Sequence, residues 1–233
     1  MCSSDLSACS AGTYATGVGF VNASLCLPCA AGTYGTGLGL VAAAQCTQCQ
    51  TGTYGTGVGA ANAGLCALCQ AGTYGTGVGL VASAQCTQCQ AGTYGTGAGL
   101  TAAALCPACQ AGTYGTGVGL TAAALCLQCQ AGTYGTGVGV SNASQCAQCA
   151  AGTYGTALAA SSAVGVCLAC AAGTYGTGVG AASASLGCSL CQAGTYGTGV
   201  GLTAASLCQT CAAGAYGTGV GLRSEERRVG KEC

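Results

Sequence analysis

The sequence predicts small disulfide-rich modules in tandem, mostly short β-strands and loops with little helix. Three observations lead there: a motif recurring about every twenty residues, a cysteine pair in each copy, and a scarcity of core-forming side chains. The motif is Cys-x-x-Cys-x-x-Gly-Thr-Tyr-Gly-Thr-Gly, seen cleanly from Cys86 to Gly97. All eleven tyrosines of the 233-residue chain, from Tyr14 to Tyr216, occupy its Tyr position. Self-similarity at a fixed period marks an array of small units rather than one globular domain. A truncated unit starts near Ser7 and holds only Cys9. Complete units begin at Cys26, Cys46, Cys66, Cys86, Cys106, Cys126, Cys146, Cys167 and Cys188, and a shortened one begins at Cys208.

Composition limits how such a unit can be held. The chain has 45 glycines, one Phe and no Trp, and its 51% hydrophobic content is inflated by Ala and Cys. One Tyr and two or three Val or Leu per unit cannot offset the entropy of ordering a Gly-rich segment. Crosslinks, neighbouring repeats or both must supply the difference. An elongated rod is expected. A β-solenoid of stacked rungs is the alternative, favoured by the regular period and opposed by one-residue insertions.

Within a unit, Tyr74, Thr76, Val78 and Leu80 alternate with Gly75, Gly77 and Gly79. Period two with Tyr, Thr and Val predicts a short extended segment, and the glycine face admits a neighbouring backbone. The stretch Thr101–Leu105 suits one helical turn and is too short for a free-standing helix. Two units carry an extra residue, in the intervals Ala159–Val166 and Ala181–Gly187, each just ahead of a cysteine pair. Cys-to-Tyr spacing then resumes unchanged. The loop before the pair is therefore tolerant and the segment after it rigid.

The ends differ in kind. Asp5, Arg223, Glu225, Glu226, Arg227, Arg228, Lys231 and Glu232 are the only charged residues, so residues 7–222 carry no Asp, Glu, Lys, Arg or His. Residues 1–6 (MCSSDL) and 223–233 (RSEERRVGKEC) read as translated sequencing adapters, and such segments are set aside before fold reasoning. The array is then residues 7–222, about ten to eleven repeats, expected to be an internal fragment of a longer protein.

Twenty-one of the 23 cysteines, all but Cys2 and Cys233, lie in the array. Three readings compete. In the first, the second Cys of each pair bonds the first of the next: Cys9–Cys26, Cys29–Cys46, Cys49–Cys66, Cys69–Cys86, Cys89–Cys106, Cys109–Cys126, Cys129–Cys146, Cys149–Cys167, Cys170–Cys188 and Cys191–Cys208. Cys211 is left over. In the second, two C-x-x-C pairs separated by sixteen residues form four-cysteine zinc sites, though nothing selects one neighbour over the other. The third is thioredoxin-like redox chemistry, which lacks its βαβ surroundings. Structural disulfides are the preferred reading.

The run C-x-x-C-x-x-G-T-Y resembles the ephrin-receptor-like cysteine-rich repeat and, more loosely, tumour-necrosis-factor-receptor and other growth-factor-receptor modules. The likeness spans residues 7–222, with Ala215 replacing Thr once. It implies an extracellular or cell-surface, disulfide-stapled, elongated protein. It carries over no ligand-contact residue, because those families hold more Pro, Asn and charge in the loop where this array has Gly and Ala.

Several functions are disfavoured. Without His, Asp, Glu or Lys the array has no general acid or base, and its Ser and Thr have no base to activate them. It is not read as an enzyme, and no cofactor or metal site is assigned. Gly-Thr-Gly-x-Gly lacks the strand-to-helix context of a phosphate loop. An interval without cations is not expected to bind nucleic acid. Apolar runs break well short of the ~20 residues of a spanning helix, so no membrane insertion is expected. Each motif Tyr is read as packing on its own disulfide or the next unit rather than forming a ligand ladder. Asn22-Ala-Ser24 and Asn142-Ala-Ser144 are N-glycosylation sequons. The expected role is an extracellular structural or adhesive array, a stalk or spacer, with a protein or matrix partner left open. A ligand-binding receptor ectodomain and a zinc-binding cysteine array are the alternatives.

Overall fold

Each repeat is a small hairpin closed by the next cysteine pair. The computed structural model describes residues 6–16, 21–212 and 219–223. Cys2, Tyr216, Cys233 and every charged residue except Arg223 lie outside that description.

Local sequence dictates the hairpin. After Cys69, the Thr73 N–H donates to the Gln70 carbonyl at 3.0 Å, and the Thr73 hydroxyl donates to the same oxygen at 2.7 Å. This doubled bond is why Thr follows the glycine. Gly72 has φ +81°, at the turn position where type II geometry requires a positive φ. The chain leaves the turn as strand Thr73–Tyr74, antiparallel to Thr87–Gln88, with Tyr74 opposite Thr87. The same pairing joins Thr33–Tyr34 to Thr47–Gln48, Thr53–Tyr54 to Ala67–Leu68, and Thr133–Tyr134 to Ala147–Gln148.

The extended segment expected through Leu80 ends at Tyr74 instead. Gly79, at φ +68°, turns the chain back so that Leu80 folds over the glycines. A Cβ on Gly75 would lie 3.1 Å from Leu80 Cδ1, and one on Gly77 3.1 Å from Leu80 Cδ2. Val78 stays exposed on the bend. Tyr74, Val78 and Leu80 therefore do not share a face.

The helical turn is a single 3-10 turn, Ala103–Leu105 in its repeat. Elsewhere side chains cap it: Gln85 Oε1 accepts from the N–H of Val81 at 2.6 Å, and Asn62 Oδ1 from that of Gly64 at 2.9 Å. The extra residues are absorbed here. Cys86 N–H donates to Ser83, three residues back, whereas Cys167 and Cys188 donate four residues back, to Ala163 and Ala184. The turn widens from 3-10 to α, as in Ala184–Gly187, and the bridged Cα atoms still lie 5.5 and 5.6 Å apart.

The chain divides into two compact units, Met1–Pro107 with Gly117–Leu125, and Ala108–Thr116 with Cys126–Cys233. The division interleaves because a repeat reaches both ways. Thr113–Tyr114 pairs forward with Leu127–Gln128, while the Gly119 N–H donates back to the Cys89 carbonyl at 2.7 Å. Within either unit the sheets are separate and small, linked by single parallel bridges such as Tyr34 to Ala60 or Tyr175 to Leu202. These are tandem hairpins, not the continuous rungs of a β-solenoid. At the borders of the array, Leu6–Ser7 pairs with Val21–Asn22, and Leu222–Arg223 runs parallel to Thr195–Gly197.

The core is sulfur. Among the described residues the largest fully buried side chains are Cys29, Cys49, Cys69, Cys89, Cys109, Cys129, Cys149, Cys170 and Cys191, each the second of its pair. Large aliphatics such as Leu68, Val78 and Leu190 remain more than half exposed.

Two substitutions test this account. A Cβ on Gly72 would lie 2.3 Å from the Gly119 carbonyl oxygen, whereas one on Gly57 meets nothing within 4 Å. Gly72→Ala should cost at least about 2 kcal/mol and Gly57→Ala stay within about 0.5 kcal/mol, read from thermal unfolding with bridges intact. Ala159 has φ +54°, at a position where Gly59, Gly79 and Gly139 also take positive φ. Ala159→Gly should stabilise by about 1 kcal/mol in the same measurement.

Candidate functional site: the cysteine ladder

The structure joins Cys9–Cys26, Cys29–Cys46, Cys49–Cys66, Cys69–Cys86, Cys89–Cys106, Cys109–Cys126, Cys129–Cys146, Cys149–Cys167, Cys170–Cys188 and Cys191–Cys208. Each second cysteine is thereby bonded to the first of the following pair. Cys211, read from the sequence as left over, is disulfide-bonded as well.

The second cysteine is tied on three sides. Cys69 N–H donates to the Gly52 carbonyl at 2.8 Å, its own carbonyl accepts from Gly99 N–H at 2.7 Å, and its sulfur bonds Cys86. One residue thus links three successive repeats. In the other unit Cys149 donates to Gly132 and accepts from Gly180 in the same way, both at 2.8–2.9 Å. The glycines flanking the motif Tyr allow this approach. A Cβ on Gly75 would sit 3.0 Å from Cys69 Sγ and 3.2 Å from the Gly52 nitrogen. Sulfur held in these bridges is not available as a thiolate ligand, and among the described residues no cluster of three or more His, Cys, Asp or Glu is placed to hold a metal. Among the same residues, no helix is long and apolar enough to cross a membrane.

Both sequons are exposed at the start of a 3-10 turn. Asn22 Oδ1 accepts from Ser24 N–H at 2.9 Å and from its hydroxyl at 2.8 Å. Asn142 Oδ1 accepts from Ser144 N–H at 3.1 Å and from the Ser144 hydroxyl. Asn62 caps its turn identically although Gly64 stands where a sequon needs Ser or Thr. Capping alone therefore accounts for asparagine at this position. The described motif tyrosines are half-buried, with Tyr196 almost fully so.

No protein-family model matches the chain, and no curated protein matches it.

Removing one staple should loosen a short stretch, not the array. Cys69→Ala with Cys86→Ala should cost roughly 3 kcal/mol for a loop of this size. Limited proteolysis should then cut between residues 70 and 85 while neighbouring repeats stay intact.

Proposed function

We propose that the chain is an extracellular structural array, a stalk or spacer of the ephrin-receptor-like kind, whose length is fixed by its disulfides. The observation that carries this reading is the bridge register. Tension along the backbone bypasses the residues between bridged cysteines, because it crosses from Cys69 to Cys86 through sulfur, a Cα separation of 5.8 Å. Only the step from Cys86 to Cys89 can then lengthen, so a pulled repeat extends to roughly 16 Å, against roughly 70 Å for twenty free residues. Such a chain holds what it joins at a set distance.

Disulfides at this density support an oxidising, extracellular setting. The lack of acids, bases and cations through residues 7–222 supports a non-catalytic role without nucleic acid. Exposure of Asn22 and Asn142 supports their use as glycan acceptors in a secreting eukaryotic host.

Single-molecule pulling tests the spacer. An oxidised chain should reach a contour length of roughly 16 Å per repeat, rising to roughly 70 Å after reduction. Full extension without reductant, or free thiols with stoichiometric zinc, would overturn the reading.

A further inference from the structure

Two clefts in the first unit are the same cleft one repeat apart. One, of about 270 Å³, is lined by Tyr54, Gln70, Thr73, Ser83, Ala84 and Cys86. The other, of about 90 Å³, is lined by Tyr34, Gln50, Thr53, Ala63 and Cys66, each twenty residues earlier than its counterpart. Thr73 spends its hydroxyl on the Gln70 carbonyl. The Tyr54 hydroxyl, the Gln70 side-chain amide and the Ser83 hydroxyl bond to no other described residue. The smaller cleft keeps the Tyr and the Gln.

An aromatic ring beside an unpaired amide and hydroxyl, with no charge nearby, defines the ligand. Gln70 and Ser83 are exposed and no lining side chain is charged, so a charged group entering here would meet no counter-ion. A neutral ligand with one apolar face and several hydroxyls satisfies both the ring and the amide, which offers two donors and an acceptor. Sugars have that character. Repetition points to a polymer: the Tyr–Gln pair recurs as Tyr74 with Gln90 and Tyr114 with Gln130, and is broken at Tyr14 with Ala30 and Tyr134 with Ala150. Weak sites at a regular interval suit a chain of repeating units through avidity.

We propose that these clefts bind a neutral polysaccharide, the Tyr ring stacking on a sugar face and the Gln amide bonding its hydroxyls. The inference adds adhesion to the spacer and does not depend on it.

The test uses the full chain with bridges intact and four neutral probes: cellohexaose, mannohexaose, xylohexaose and chitohexaose. Hexagalacturonate is the acidic control. Saturation-transfer NMR should show contact with at least one neutral hexasaccharide and none with the acid. Calorimetry should then show roughly tenfold weaker binding for Gln50→Ala, Gln70→Ala and Gln90→Ala combined. Those amides bond nothing in the protein, so the variant should fold with its bridges unchanged. Transfer to none of the four, equal transfer to the acid, or unchanged affinity in the triple variant would each overturn the proposal.

Discussion

The structure depends on one constraint: a buried half-cystine that must touch three repeats at once. A unit of this chain has too few apolar atoms to close a core around itself, so its fully buried side chain is a cysteine bonded to the next pair. That sulfur lies inside only because two backbones come close enough to enclose it. Cys69 bonds back to Gly52 and forward to Gly99, and neither contact tolerates bulk beside it. The glycine content is thus the condition for the disulfide core rather than a sign of looseness. A chain so rich in glycine has much entropy to lose, and a covalent loop closure removes part of that loss before folding begins.

The repeat is nearly uncharged because its polar work is done by the backbone. Thr73 reinforces its own turn, Gly72 donates to Gly95 and accepts from Cys89, and Gln or Asn side chains close the 3-10 turns. No described polar side-chain atom is buried without a partner. Most Val and Leu are left outside since the interior is small; among the described residues Val140 is buried, and Leu80 is partly sheltered over Gly75 and Gly77. The lone extra residue before Cys167 or Cys188 is harmless for the same reason. It enters a turn that buries nothing, and widening that turn restores the bridge.

Much of this was legible in the sequence, and the gaps have physical causes. Period and cysteine spacing indicate hairpin-sized units and which cysteines lie in register. They do not indicate how far a repeat reaches. Near-identical units give no cue that Gly72 meets Gly119, more than two units onward. Alternation of Tyr, Thr, Val and Leu with glycine suggests a strand, yet glycine is also the residue that bends, and at Gly79 the bend wins because it lays Leu80 on the glycine face. Asn-Ala-Ser matches an acceptor motif, while Asn62 shows the same residue serving as a cap with no motif present.

Glutamine separates what the fold requires from what it does not. Gln85 closes its 3-10 turn, as Gln45 and Gln145 do, so its amide is accounted for. Gln48 lies against Gly79, where a Cβ would come within 3.2 Å of its Nε2, and Gln88 and Gln148 take the same place on Gly119 and Gly180. Gln70 has neither task. Its backbone carbonyl completes the turn with Thr73, which any residue supplies, and Ala30, Ala150 and Ala171 do supply it. An amide at that position adds nothing to the hairpin. It does place two donors and an acceptor in the cleft that Tyr54 also lines, free of any task in the fold.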